Sequence, residues 1–110
     1  MTPCRAAETR YPSGSTPFRG KLDMALASGA CPVPAASAYV VSATVVPAAA
    51  LGYLTLWPQG QAQPTVATLT ALDGAVTSNL SLVPATSGSI SMFASNATHL
   101  VLDLFGYFAP

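Results

Sequence analysis

Hydrophobic and polar residues alternate along the middle of the chain. In residues 39–46, every second position is apolar, and the positions between them include a serine and a threonine. The apolar set is Tyr39, Val41, Ala43 and Val45. A period of two residues, with many β-branched side chains, is typical of a strand with one buried face. Pro47 follows directly and predicts the end of this strand, because proline cannot donate to a ladder.

Further segments of strand length follow, separated by turn residues. The predicted strands are 51–57, 65–72, 76–83, 89–94 and 98–108. The turns between them are predicted at 58–60, 73–74, 86–88 and 95–97. Short strands at this spacing indicate an all-β fold, here a single antiparallel β-sandwich or barrel-like domain.

The first third of the chain has a different character. Only eight residues are charged in all. The six within the first 23 positions are Arg5, Glu8, Arg10, Arg19, Lys21 and Asp23. Residues 11–17 are rich in proline, glycine and serine and predict a loop. We therefore expect one domain over 1–110, with a loop-rich arm in 1–34 and a β body in 35–110.

Two cysteines, Cys4 and Cys31, are the only ones in the chain. An even count in a Ser/Thr-rich chain of low charge predicts one disulfide, formed in an oxidising compartment, which would clip the arm to the body. Two free thiols in a cytosolic protein are the alternative. A zinc site that also uses His99 lacks the close ligand spacing of structural zinc sites, so no metal is predicted.

Composition excludes several classes of function. Net charge is zero and only four residues are basic, which gives no electrostatic footprint for nucleic acid or anionic lipid. High hydrophobicity excludes intrinsic disorder. No apolar run has the length of a membrane span and no signal peptide is visible, so we expect no membrane insertion. The chain starts almost on its first motif and stops just after Phe108, so we expect an excised domain or a processed unit.

The sequence predicts no catalytic residue and no cofactor. His99 is the only conventional base, and Asp103 lies four positions later in the same predicted strand. That spacing places the two side chains about 13 Å apart along the strand, too far for a direct hydrogen bond. A half-buried or exposed strand histidine is the simpler interpretation.

Two carboxylates, Glu8 and Asp103, lie in otherwise apolar segments. A partly buried carboxylate needs a cationic partner, and Arg5 and Arg10 are the natural ones. We predict a structural charge cluster of Arg10, Glu8 and Asp103 that holds the N-terminal segment against the last strand. A ligand site is the alternative.

Tyr53 and Trp57 fall on one face of a predicted strand, with Thr55 between them. Such an aromatic face is a candidate platform for sugar rings. The alternative is that Trp57 packs in the core or under a loop, which is the commoner place for a lone tryptophan.

Three motifs together resemble a known family. They are CRAAETR at 4–10, GYLTLWPQG at 52–60 and HLVLDLFGYF at 99–108. The chain is similar to the cysteine-containing β domain that recurs, often in tandem, in secreted and surface proteins of acidobacteria and actinobacteria. The opening motif differs at Glu8, where that family usually has aspartate. The resemblance implies an extracellular, disulfide-stapled module with no established catalytic activity.

The sequence therefore favours a non-catalytic extracellular module: a surface stalk, a spacer or a self-associating subunit. Its expected partners are copies of itself or neighbouring domains of the same parent protein, because few Lys or Glu residues protect its strand edges. A carbohydrate-binding module that uses Tyr53 and Trp57, with a glycan as partner, is the alternative. A hydrolase ranks third.

Overall fold

The computed structural model describes residues 2–10, 16–28, 31–65 and 67–108. The described residues form seven strands and one short 3₁₀ turn. In chain order they are β1 (Cys4–Glu8), β2 (Phe18–Ala25), the 3₁₀ turn (Leu26–Ser28), β3 (Ala38–Pro47), β4 (Leu51–Pro58), β5 (Leu69–Ala71), β6 (Thr77–Pro84) and β7 (Ser89–Phe108).

One long strand organises the sheet. β7 has 20 residues, and all pairings in the sheet are antiparallel. Its first part pairs with β2 and β4, and its second part pairs with β1 and β3. β5 then lies beside β4, and β6 lies beside β3. The prediction of an all-β, antiparallel domain is confirmed.

The sheet curves until its two outer strands approach each other. The side-chain amide Nδ2 of Asn79, on β6, donates to the backbone carbonyl of Thr68, just before β5, at 2.9 Å. This bond bridges the gap between β5 and β6, the strands at the two ends of the order β5-β4-β7-β3-β6. The result is a nearly closed, barrel-like sheet.

The inner face of the sheet carries the core, as the alternating pattern requires. The fully buried aliphatic side chains include Val41, Val45, Leu51, Leu54, Ile90, Met92, Leu100, Leu102 and Leu104. Tyr39 is also fully buried, and its hydroxyl donates to the carbonyl of Pro34 at 2.7 Å and accepts from the amide of Ala36 at 3.1 Å. Its polar atom is thus satisfied inside an apolar core.

The N-terminal region contributes two strands as well as loops. β1 and β2 both pair with β7, so much of the predicted arm belongs to the sheet. Residues 11–15 of the predicted loop lie outside the described residues. A disulfide joins Cys4 on β1 to Cys31, with 5.9 Å between the two Cα atoms. The predicted disulfide is therefore confirmed.

The predicted turn at 95–97 is wrong, because β7 continues through it. The Ser95 hydroxyl accepts a hydrogen bond from the backbone N–H of Tyr53 at 2.9 Å. The side-chain Oδ1 of Asn96 accepts one from the backbone N–H of Gly52 at 3.0 Å. These side chains bond the neighbouring strand, so polar residues do not interrupt β7. The strand predicted at 65–72 shortens to Leu69–Ala71.

No helical segment within the described part of the chain has the length and hydrophobicity of a membrane span.

Candidate functional site

The charge cluster lies where β1 pairs with β7. Arg5 stands opposite Asp103 in the register. Its Nε donates to Asp103 Oδ1 at 2.9 Å, and its Nη1 donates to Glu8 Oε2 at 2.9 Å. Arg10 Nε donates to the other oxygen of Glu8. The structure brings Arg10, Glu8 and Asp103 together, and Arg5 is the residue that links the two carboxylates.

The Glu8 carboxylate is the most enclosed member of this cluster, with a side chain 10% exposed. The Arg10 hydrogen bond lowers the pKa of Glu8, and Arg5 adds to this effect against the opposing influence of burial. The Asp103 hydrogen bond in turn raises the pKa of Arg5. Both pKa shifts favour the charged forms of Glu8 and Arg5, and the Arg5–Asp103 ion pair joins β1 to β7.

His99 is half-buried and contacts the residue that follows β1. Its Nδ1 lies 3.2 Å from the Thr9 hydroxyl oxygen, which also accepts the backbone N–H of Leu100 at 2.8 Å. The carboxylate of Asp103 is occupied by Arg5 instead. Within the described ranges, no group of three or more His, Cys, Asp or Glu side chains is placed to hold a metal ion.

Trp57 does not form an exposed aromatic face with Tyr53. It is 4% exposed, and its indole N–H donates to the carbonyl of Gln61 at 3.0 Å. The segment after β4 folds back over the ring and covers it. The candidate ligand face of Tyr53 and Trp57 is therefore corrected: Trp57 anchors a loop, and Tyr53 alone remains accessible.

Tyr53 lines a cavity of about 630 Å³ between β4 and the β4–β5 loop. Its ring stacks on Phe93 of β7, with 5.7 Å between centroids and 25° between planes. Gln63, Thr65 and Thr70 lie around the same cavity. Local pattern alone does not identify Phe93 or the loop residues, because their positions depend on how β4 pairs with β7 and on the path of the loop.

A second surface feature lies on the outer face of β3, β6 and β7. Val40 of β3 pairs with Leu82 of β6, and Ala38 pairs with Phe108 of β7. Leu80, Leu82 and Phe108 are exposed by 63%, 58% and 54%. We call Val40, Leu80, Leu82 and Phe108 the apolar face.

The apolar face continues to the edge of the sheet. In the part of the chain that the structure describes, β6 pairs with β3 alone. Beyond Asn79, whose side chain reaches Thr68, the outer edge of β6 has no paired strand among the described residues. An edge of this kind presents backbone N–H and C=O groups to other chains.

Comparisons of the chain with protein-family models, curated proteins and solved structures find no match. The resemblance in the sequence motifs therefore stays a prediction.

Proposed function

We propose that this protein is a non-catalytic extracellular module that associates with copies of itself through β6 and the apolar face. The observation that carries the proposal is the exposure of Leu80 and Leu82 on an edge strand, 63% and 58% respectively. Large apolar side chains beside an open strand edge mark an interaction surface.

The strand itself favours pairing. Natural edge strands are usually protected by lysine, by inward-pointing charges or by proline within the strand. β6 reads TSNLSLVP, with no charged residue and its single proline, Pro84, at the end. A second β6 strand, antiparallel across a two-fold axis, would satisfy the backbone groups of this edge.

A second copy is also the partner that the charges favour. β3 and β6 carry no charged residue, so these two strands bring no like charges to the proposed contact. In the two-fold arrangement, Leu80 and Leu82 of each copy would lie near those of the other. The hydrophobic effect then adds to the backbone pairing.

The extracellular part of the proposal is supported by the Cys4–Cys31 disulfide, which fits an oxidising environment. The non-catalytic part is supported by the contacts of the acids and the histidine. Arg5 holds both Glu8 and Asp103, Thr9 contacts His99, Ser91 donates to Asp23, and Asp73 accepts the amide of Ala75.

Sedimentation velocity over a range of protein concentrations tests the association. We expect the wild type to shift from monomer to dimer or larger species as concentration rises. Leu80→Lys should stay monomeric, because the new charges would face each other across the two-fold axis. Leu72→Lys is the matched control, since Leu72 is 73% exposed and lies outside the apolar face.

A wild type that stays monomeric at millimolar concentration would contradict the proposal. So would equal loss of association in Leu72→Lys, which would indicate a general effect of added charge. Near-UV circular dichroism of each variant confirms that the fold is retained.

A further inference from the structure

We propose that the cavity between β4 and the β4–β5 loop binds a neutral saccharide, with Tyr53 as the surface on which a sugar ring stacks. Its volume of about 630 Å³ falls within the range of about 300–1,000 Å³ for small-molecule sites. The site is separate from β6 and the apolar face and does not depend on self-association.

The loop that forms one wall is tied to β4 at both ends. At its start, the Trp57 indole donates to the carbonyl of Gln61. At its end, the amide of Thr68 donates to the carbonyl of Leu54 at 2.8 Å, and the Thr68 hydroxyl accepts the amide of Leu56 at 3.0 Å. The wall is thus held in place before any ligand arrives, which reduces the entropy cost of binding.

The tyrosine is held just as firmly. Phe93 stacks on its ring, and the hydroxyl of Ser95 accepts its backbone N–H. The neighbouring Gly52 also lines the cavity, and a Cβ added there would lie 2.8 Å from the Ser95 hydroxyl oxygen. Gly52 thereby allows β4 to approach the Ser95–Asn96 part of β7 closely and fixes where Tyr53 sits.

The chemistry of the lining selects the ligand class. Besides Tyr53, the lining includes Gln63, Thr65 and Thr70, whose side chains are neutral and both donate and accept hydrogen bonds. No charged side chain is among the described residues that line the cavity. A sugar ring offers an apolar C–H face for the aromatic ring and hydroxyls for the amide and threonines.

The absence of a charged side chain from this lining also argues against an ionic ligand. A charged group placed here loses hydration without gaining a counter-ion from the wall. We therefore expect a neutral oligosaccharide to bind more tightly than a uronic acid oligomer of the same length.

The experiment is an NMR titration of the ¹⁵N-labelled protein with tetrasaccharides. The neutral probes are β-1,4-linked glucose, β-1,4-linked xylose, α-1,4-linked glucose and β-1,4-linked N-acetylglucosamine. The charged probe is a galacturonic acid tetramer, and phenol is the non-sugar aromatic probe. We expect at least one neutral probe to cause saturable shifts of the amides of Gly52, Tyr53, Gln63 and Thr70.

Variants locate the binding. Tyr53→Ala should weaken the affinity about tenfold, the effect of losing one stacking contact. Gln63→Ala changes an exposed loop residue, so it should keep the fold and weaken binding by a similar or smaller factor. Tyr107→Ala is the matched control, because Tyr107 is 43% exposed and lines a different cavity. It should bind like the wild type.

Three results would overturn the proposal. The first is that no neutral probe, at millimolar concentration, shifts the amide signals of the residues that line the cavity. The second is that Tyr53→Ala and Gln63→Ala both bind with wild-type affinity. The third is that the galacturonic acid tetramer or phenol binds more tightly than any neutral saccharide.

Discussion

At the scale of single residues, the turn between β6 and β7 shows how tightly one position is constrained. Thr86 and Ser89 exchange two backbone hydrogen bonds, of 3.0 and 2.9 Å, across Ser87 and Gly88. Both central residues have positive φ, 49° and 79°, as a type I′ hairpin turn requires. A Cβ at Gly88 would lie 2.6 Å from the Cβ of Ala27, so the site lacks space as well as requiring an unusual backbone conformation.

We predict that Gly88→Ala lowers the free energy of unfolding by more than backbone strain alone would lower it. Gly60→Ala is the control, because Gly60 has φ of 88° and no atom within 4 Å of a built Cβ. The control should lose about 1–2 kcal/mol from strain. Gly88→Ala should lose about 1–3 kcal/mol more, because Ala27 and the neighbouring backbone must move. Urea denaturation measures both, and equal losses would show that crowding at Gly88 has no energetic effect.

The residues of the candidate site show where sequence reasoning stops at this scale. Alternation correctly places Tyr53 and Trp57 on the face of β4 opposite Leu54 and Leu56. Alternation does not show that the Tyr53 ring is accessible and the Trp57 ring is buried, because the path of the loop after β4 determines which ring is covered. Likewise, the need of Glu8 for a cation was foreseeable, whereas the bridging position of Arg5 depends on the β1–β7 register.

At the scale of elements, the strands with the most regular alternation were the most predictable. β3 and the start of β7 have one fully apolar inner face, so local sequence suffices. β2 alternates just as regularly, with exposed Arg19, Lys21 and Asp23 between less exposed residues, but the turn-rich residues before it and Gly20 within it make this segment resemble a loop-rich arm. The Ser95–Asn96 segment resembles a turn in local sequence, because the hydrogen bonds that keep it in a strand go to β4, 42 and 44 residues away in sequence.

β1 is the element that depends most on a covalent link. It is five residues long, has no fully buried residue, and pairs with no described strand other than β7. The Cys4–Cys31 bridge closes a loop with a sequence separation of 27. In the chain-entropy model, a loop of this length stabilises the folded state by about 3.5 kcal/mol.

We predict that the double variant Cys4→Ser, Cys31→Ser lowers the free energy of unfolding by about 3 kcal/mol. Guanidinium denaturation of the wild type with a reducing agent should give a similar value, which controls for the substitutions themselves. Unchanged stability in both samples would mean that strand pairing and the charge cluster suffice to hold β1.

At the scale of the whole molecule, β7 makes the two parts of the sheet one unit. Four of the other six strands pair directly with it, and the remaining two pair with β4 and β3. When β7 detaches, β1 and β2 lose the strand they pair with, and the β3–β6 and β4–β5 pairs lose the strand that joins them. The molecule should therefore unfold in one step, although its two parts resemble the sheets of a sandwich.

Native-state hydrogen exchange in increasing denaturant tests this cooperativity. We expect the amides bonded between strands in both parts of β7, near Met92 and near Leu102, to exchange with the same free energy as global unfolding. Amides in β5, a three-residue outer strand, should exchange through smaller openings. Different free energies for the two parts of β7 would show that the molecule opens in two stages.

The place of β7 in chain order also has a consequence for biosynthesis. Among the described strands it comes last in chain order, yet β1 and β2, which precede the others, pair with no other described strand. Both cysteines emerge long before it. Assembly of the complete sheet must therefore wait for residues 89–108, and the preceding chain travels without its central partner. The thiols of Cys4 and Cys31 therefore become available for oxidation before the strand that holds β1 in the sheet has been made.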